Sequence, residues 1–210
     1  YEGHVVNNAM GLKGSGNRKQ ALKALAALDR WHGQATGIFT GDECFAGKMP
    51  SQGTELCAVV EMLFSLETLG ARYEEAAFFE RMERVAYNAL PATLKKDVWA
   101  HQYVQQANQA VVRISPERVY TTNDPDANIF GLEPNYGCCT ANMHQGWPKF
   151  ASHLWMATSD GGLAAAAWAP CLVETRIAGA GVQIEVHTDY PFSEKIEIRV
   201  SVERPVEFPL

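Results

Sequence analysis

The sequence has no run of roughly 18 uncharged apolar residues, so it predicts no transmembrane helix. It has no basic cluster either. Lys and Arg are scattered singly in a chain of formal net charge −6, which excludes a nucleic-acid footprint and a polybasic membrane patch. Cysteine is sparse: five residues, an odd number without the dense spacing of a small secreted scaffold, do not make a disulfide framework. The start, Tyr1-Glu2-Gly3-His4, lacks Met, a basic n-region and an apolar h-region. The end, Glu203 to Leu210, reads as a strand interrupted. The expectation is a fragment of a longer protein, with any signal segment cut away.

What is present is enough for a sizeable core: 210 residues, 47% of them apolar. Apolar residues recur at helical spacing in residues 4–13 and again over 18–30, where Ala21, Leu22, Leu25, Ala26 and Leu28 make one face. A long irregular segment, Thr36 to Gly53, follows; a loop of that length in a helical protein is often functional. Thr54 is read as the cap of a helix ending near Leu69, with Gly70 at its C-terminus. Glu74 to Leu90 is a further helix stopped by Pro91. Pro148 fits the first turn of another, whose apolar face continues through Leu154 and Trp155 to Asp160-Gly161-Gly162. Beyond Leu163 the period changes to two: Val182, Ile184 and Val186 alternate with polar residues, as do Ile196, Ile198, Val200 and Val202, with a turn at Gly179-Ala180-Gly181. Helices followed by strands imply two domains, 1–162 and 163–210.

The chemistry gathers around Gly137-Cys138-Cys139-Thr140. Neighbouring cysteines are poor disulfide partners for each other, because the bridge strains the peptide link. Both thiolates make more sense aimed at one ion. Glu55 and Cys57, some eighty residues earlier, would complete a four-coordinate zinc site; several buried free thiols are the plainer alternative, and the one adopted for Cys171. A two-residue step turns about 200° on a regular helix, so Glu55 and Cys57 should sit at an irregular helix start. Glu43, in the polar loop, is either a solvated charge or the carboxylic acid that cleavage of a glycosidic bond requires. His101, Tyr103 and Gln105 lie in a segment where amides and rings alternate. That mixture suits a hydroxyl-rich ligand, or else a polar strand rim.

Gly53-Thr54-Glu55-Leu56-Cys57-Ala58-Val59-Val60-Glu61-Met62, Glu83-Arg84-Val85-Ala86-Tyr87-Asn88-Ala89 and Gly137-Cys138-Cys139-Thr140-Ala141-Asn142 resemble the family once called DUF1680, now grouped with the β-L-arabinofuranosidases of glycoside hydrolase family 127. The resemblance implies a mainly α fold, part of an (α/α)6 barrel followed by the beginning of a β-sandwich. It implies that Glu55, Cys57, Cys138 and Cys139 bind zinc. By the same resemblance Cys138 is the nucleophile, Glu43 the general acid/base and His4 a sugar contact. The expected function is a retaining glycoside hydrolase, exo-acting on β-L-arabinofuranosides. The alternatives are another plant-type sugar linkage on the same scaffold, and a non-catalytic carbohydrate-binding protein with structural zinc. The partner implied is an oligosaccharide or glycoside, with no nucleic acid and no membrane; a homo-oligomer through the β-sandwich region of the full-length protein stays open. Reduced thiolates favour the cytoplasm, although zinc protects thiolates outside it too.

Overall fold

His4 starts the first helix: its Nδ1 accepts the N–H of Val6 at 3.3 Å, taking the capping role that a short polar side chain usually fills. Helix α1 (Val5–Gly11) then tightens into a 3-10 turn at Leu12–Gly14. Asn17 caps α2 (Arg18–His32) by accepting the Gln20 N–H, and Ala21, Ala24, Leu25 and Leu28 form its buried stripe. The computed structural model describes residues 3–131 and 136–210. Two compact units divide the chain, 1–150 and 151–210.

The first unit is organised on α3 (Leu56–Tyr73), which is buried on all sides for most of its length. Such a helix lies inside a core instead of on its surface. Leu56, Leu63, Leu66 and Leu69 are each at most 1% exposed, and burial of one such side chain contributes about 1.5–3 kcal/mol. Around α3 stand α1 and α4 (Ala76–Arg84), the latter followed by a π-turn at Val85–Ala89 and a short α5 (Leu90–Ala92). A two-stranded antiparallel ribbon joins β1 (Gly53–Glu55) to β2 (Val104–Gln106), with Thr54 opposite Gln105 and Glu55 opposite Val104. The last helix, α6, is Gly137–Ser152.

Several local expectations are corrected here. Thr54 does not cap α3; it is a buried β1 residue whose hydroxyl donates to the Phe39 carbonyl, and Glu55 takes the cap position without a side-chain bond. Gly70 does not end α3, which continues to Tyr73 and stops at left-handed Glu74. Gly70 is instead where the ring of Phe79 packs, since a Cβ there would lie 2.4 Å from it. Pro91 does not stop its helix at Leu90, because the π-turn just before it widens the ladder where an α-helix would set the proline ring against a carbonyl. Pro148 lies inside α6, and the double cysteine occupies that helix's first turn. The helix ends at Ser152, so Trp155 belongs to a strand and Gly161-Gly162 to a hairpin turn.

The second unit holds that hairpin, β3 (Trp155–Ala157) with β4 (Leu163–Ala165), and a three-stranded antiparallel sheet of β5 (Cys171–Ile177), β6 (Ala180–Thr188) and β7 (Ile196–Val202) in sequence order. The β5–β6 turn falls on Ala178 and Gly179, both at positive φ, one residue earlier than the glycines suggest. Two left-handed residues give a turn whose twist matches that of the flanking strands. Val182, Ile184 and Val186 face a core shared with Leu163, Ile177, Trp155, Trp168 and Phe208. Helices followed by antiparallel strands is therefore the order observed. Among the described residues no helix is long and apolar enough to cross a membrane.

Candidate active site and metal centre

The irregular segment 36–53 is fastened to β1 at Gly41. Its N–H donates to the Gly53 carbonyl at 2.8 Å and its carbonyl accepts the Glu55 N–H at 3.0 Å, so the Glu43 loop and the Glu55 strand share one backbone ladder. Gly41 adopts φ +134°, and a Cβ there would come 2.4 Å from both the Cys44 carbonyl and a Val5 methyl. Gly41→Ala should therefore cost about 1–3 kcal/mol by overpacking, read as a lower denaturation midpoint, and should shift Glu43 two residues on.

Glu55 ends β1 in extended conformation and Cys57 enters the first turn of α3. This irregular junction is what lets two residues two positions apart point the same way. Cys138 and Cys139 arrive on the first turn of α6, which begins as the Tyr136 carbonyl accepts the N–H groups of Cys139 and Thr140. The Tyr103 carbonyl accepts the Leu56 N–H at 2.9 Å, tying β2 to the start of α3 between the two ligands.

The ligand atoms of Glu55, Cys57, Cys138 and Cys139 all lie within 4.8 Å of one another. Cys57 Sγ is 3.1 Å from Cys139 Sγ, and Cys139 Sγ is 4.0 Å from Glu55 Oε1. The set fits zinc: three thiols and one carboxylate make a tetrahedral N/O/S-type site. In addition, Glu55 Oε2 is buried with no hydrogen-bond partner, the sort of orphan a cation would satisfy. All five cysteines are free thiols. Burial pushes Glu55 up to about 8, and the nearby Cys138, Glu43 and Asp42 charges add to the effect. Hydrogen bonds to Cys138 and Cys57, with burial, hold Cys139 far above the usual thiol range. The hydrogen bond to Cys139 lowers Cys57, but burial and the neighbouring groups leave it raised. Cys138 goes the other way, down to about 6, because Cys139, Cys57 and the backbone N–H groups of the helix start all bond its sulfur. It is also the exposed member of the four. Cys138 is thus the member of the cluster that is both exposed and shifted toward the thiolate.

Glu43 stands on the open side. Its Oε2 is 2.8 Å from His4 Nε2 and its Oε1 accepts the Tyr103 hydroxyl at 3.4 Å. His4 Nδ1 accepts the Val6 N–H and lies 3.7 Å from Glu55 Oε2, so the ring stands between the exposed carboxylate and the buried one. Tyr103 is 1% exposed, and burial beside Glu55, Asp42 and Glu43 keeps its phenol protonated. It is a permanent donor.

His101 is fully buried, its Nδ1 on the Gln102 carbonyl at 3.2 Å and its Nε2 on Thr140 Oγ1 at 3.0 Å. It braces α6 one residue beyond Cys139. Gln105 is 2% exposed in β2, with an unpartnered Oε1. The structure therefore brings together His4, Glu43, Glu55, Cys57, Tyr103, Cys138 and Cys139, and sets His101 and Gln105 in the wall behind. Sequence reasoning missed Asp42, Thr121, Thr122 and Asn123, which support Tyr103 and Glu43. Tyr136 was missed as well, although its ring stacks on Tyr103 with centroids 3.9 Å apart.

A family model for the β-L-arabinofuranosidase, GH127 catalytic domain matches residues 5–152. Among solved structures the chain is similar to Ara127N-Se, a GH127 β-L-arabinofuranosidase from Geobacillus stearothermophilus T6, at 19% identity and a TM-score of 0.71, with 95% of this chain and 32% of that one covered. It is similar to a GH127 β-arabinofuranosidase at 17% identity and TM-score 0.68, covering 95% and 32%. A protein described as a glycoside hydrolase gives 16% and 0.73, covering 94% and 37%. No curated protein matches the chain. At these identities the likeness is one of fold, and the chain spans about a third of the length of those structures. The matched range takes in Glu43, Glu55, Cys57, Cys138 and Cys139, the residues that the geometry groups independently, and by that match the chain belongs to the GH127 β-L-arabinofuranosidase catalytic-domain family.

Proposed function

We propose that this protein is a retaining glycoside hydrolase acting on β-L-arabinofuranosides, with Cys138 as nucleophile and Glu43 as general acid and base. One observation carries the reading: a single exposed thiol, held at about 6, belongs to an otherwise buried ligand cluster, and an exposed glutamate reaches that cluster through His4. The rival reading, a carbohydrate-binding protein with structural zinc, calls for a closed metal site buried away from any open surface. The exposure of Cys138 speaks against it.

Glu55, Cys57, Cys138 and Cys139 would hold the zinc, whose charge keeps its thiolate ligands deprotonated at neutral pH. In the first half-reaction Cys138 Sγ forms a bond to the anomeric carbon as the bond to the leaving oxygen breaks, and the proton on Glu43 passes to that oxygen. In the second, Glu43 takes a proton from water, the water oxygen bonds the anomeric carbon, and the carbon–sulfur bond breaks. Two inversions give net retention. His4 and Tyr103, both on Glu43, are the proposed contacts to the sugar; His101 and Gln105 back the site from the buried side. Residues 1–162 are proposed as the C-terminal part of an (α/α)6 barrel and 163–210 as the first strands of a β-sandwich. Five free thiols suit a cytoplasmic setting.

The test is release of L-arabinose from an aryl β-L-arabinofuranoside by the full-length protein and by Glu43→Gln. The variant should lose about 10²–10⁴-fold in rate. Wild-type turnover in Glu43→Gln, or no turnover in the parent, would remove this reading.

A further inference from the structure

Glu43 is gripped at both oxygens, by His4 on one side and Tyr103 on the other. The Tyr103 hydroxyl has its own neighbour. Asn123 Nδ2 donates to it at 2.6 Å, shorter than the 3.4 Å contact to Glu43. A phenol has one proton. Because an amide N–H already fills a lone pair on the Tyr103 oxygen, the proton is left for the remaining acceptor, Glu43 Oε1.

Asn123 is not loose in that position. Thr121 and Thr122 donate their hydroxyls to the Asp42 carboxylate, and the Thr122 N–H donates to it at 2.8 Å. Asp42 is 2% exposed and precedes Glu43 in sequence. Its carbonyl also accepts the Val5 N–H at 3.1 Å, next to His4. Charge-assisted bonds of this kind are about twice as strong as neutral ones. One buried carboxylate therefore ties together the loop carrying Glu43, the start of α1 and the segment carrying Asn123.

We infer that Asn123 is a positioning residue: its amide, seated by the Asp42–Thr121–Thr122 clamp, turns the Tyr103 hydroxyl onto Glu43 and so fixes the plane of the acid/base carboxyl. The inference rests on the proposed role of Glu43. Asn123→Asp is the sharp variant, equal in size but, when ionised, an acceptor only; the Tyr103 proton then turns to residue 123 and leaves Glu43 without its donor. Asn123→Ala removes the donor by truncation. Asn123 is half-buried, which limits the risk to folding.

The experiment compares kcat/KM of the zinc-loaded full-length protein on two aryl β-L-arabinofuranosides, one with a methoxyphenyl and one with a dinitrophenyl leaving group. The dinitrophenolate departs without protonation, so a misaligned acid hardly slows it. Both Asn123 variants should lose about tenfold or more on the methoxyphenyl substrate, through kcat rather than KM, and within about twofold on the other. Equal losses on the two substrates, or wild-type rates in Asn123→Asp, would overturn the inference. Glu43→Gln on the same pair separates the failures. If Glu43→Gln shows no leaving-group dependence, the acid/base assignment falls, and this inference with it. If it shows a strong dependence while Asn123→Ala does not, only the role of Asn123 falls.

Discussion

Cys138→Ala should lower turnover of an aryl β-L-arabinofuranoside by at least about three orders of magnitude, the scale on which loss of a covalent nucleophile acts, and should leave zinc bound. The two outcomes separate because the four members of the cluster are not equivalent. Cys138 is exposed, whereas Glu55, Cys57 and Cys139 are at most 2% exposed and lie where β1 ends and where α3 and α6 begin. Three protein ligands with water in the fourth position make a stable zinc arrangement. Cys139→Ala removes a buried ligand that meets Cys57 at 3.1 Å and Glu55 at 4.0 Å. It should lose metal and fold together. Metal content by elemental analysis, beside turnover and a thermal melt, distinguishes the two variants. Wild-type turnover in Cys138→Ala would end the nucleophile assignment. Zinc loss equal to that of Cys139→Ala would instead show that the exposed ligand is structural.

The second large effect is on zinc affinity, which should rise steeply with pH between about 6 and 8. The sign follows from where the protons sit. Without metal, Glu55 is pushed up to about 8 and Cys57 and Cys139 stay protonated, while Cys138 at about 6 is already a thiolate in this range. Zinc takes deprotonated ligands, so binding must release these protons. About three leave per ion, so the apparent association constant should increase by about a thousandfold per pH unit through the window. Because zinc binds the folded state, the thermal midpoint at fixed zinc should fall as pH is lowered from 8 to 6. Calorimetry in buffers of differing ionisation enthalpy counts the protons directly. A flat pH dependence, or a release near zero, would mean that the four groups do not act as one ligand set.

Much of the local structure is legible because its causes are local. The helical stripe of Ala21, Leu25 and Leu28 and the alternation of Val182, Ile184 and Val186 each bury one face, whatever they pack against. The thiols and the carboxylate at 55, 57, 138 and 139 are legible as metal-type groups, since thiolate and carboxylate chemistry belongs to the side chain itself. Thr54 was not legible as a strand residue. Its partner Gln105 is 51 positions away, and a capping signal is all its neighbours display. Pro148 was misleading for a related reason. A proline marks a helix start by propensity, whereas packing of Gly146 against Leu90 and Val60 carries α6 through it.

The sequence by itself determined the period of each segment, the two-part order of helices then strands, and the inventory of thiol and carboxylate groups able to hold a metal. Those follow from side-chain chemistry and from spacing along one chain. Only the tertiary structure decided which sulfur is open, that His4 stands between Glu43 and Glu55, and that Asp42, Thr121, Thr122 and Asn123 stand behind Tyr103. Exposure, and with it the separation of Cys138 from Cys139 in acidity, depends on what neighbouring elements exclude from water. Hydrogen bonds across some eighty residues carry no trace in either segment until the core around α3 brings the two together.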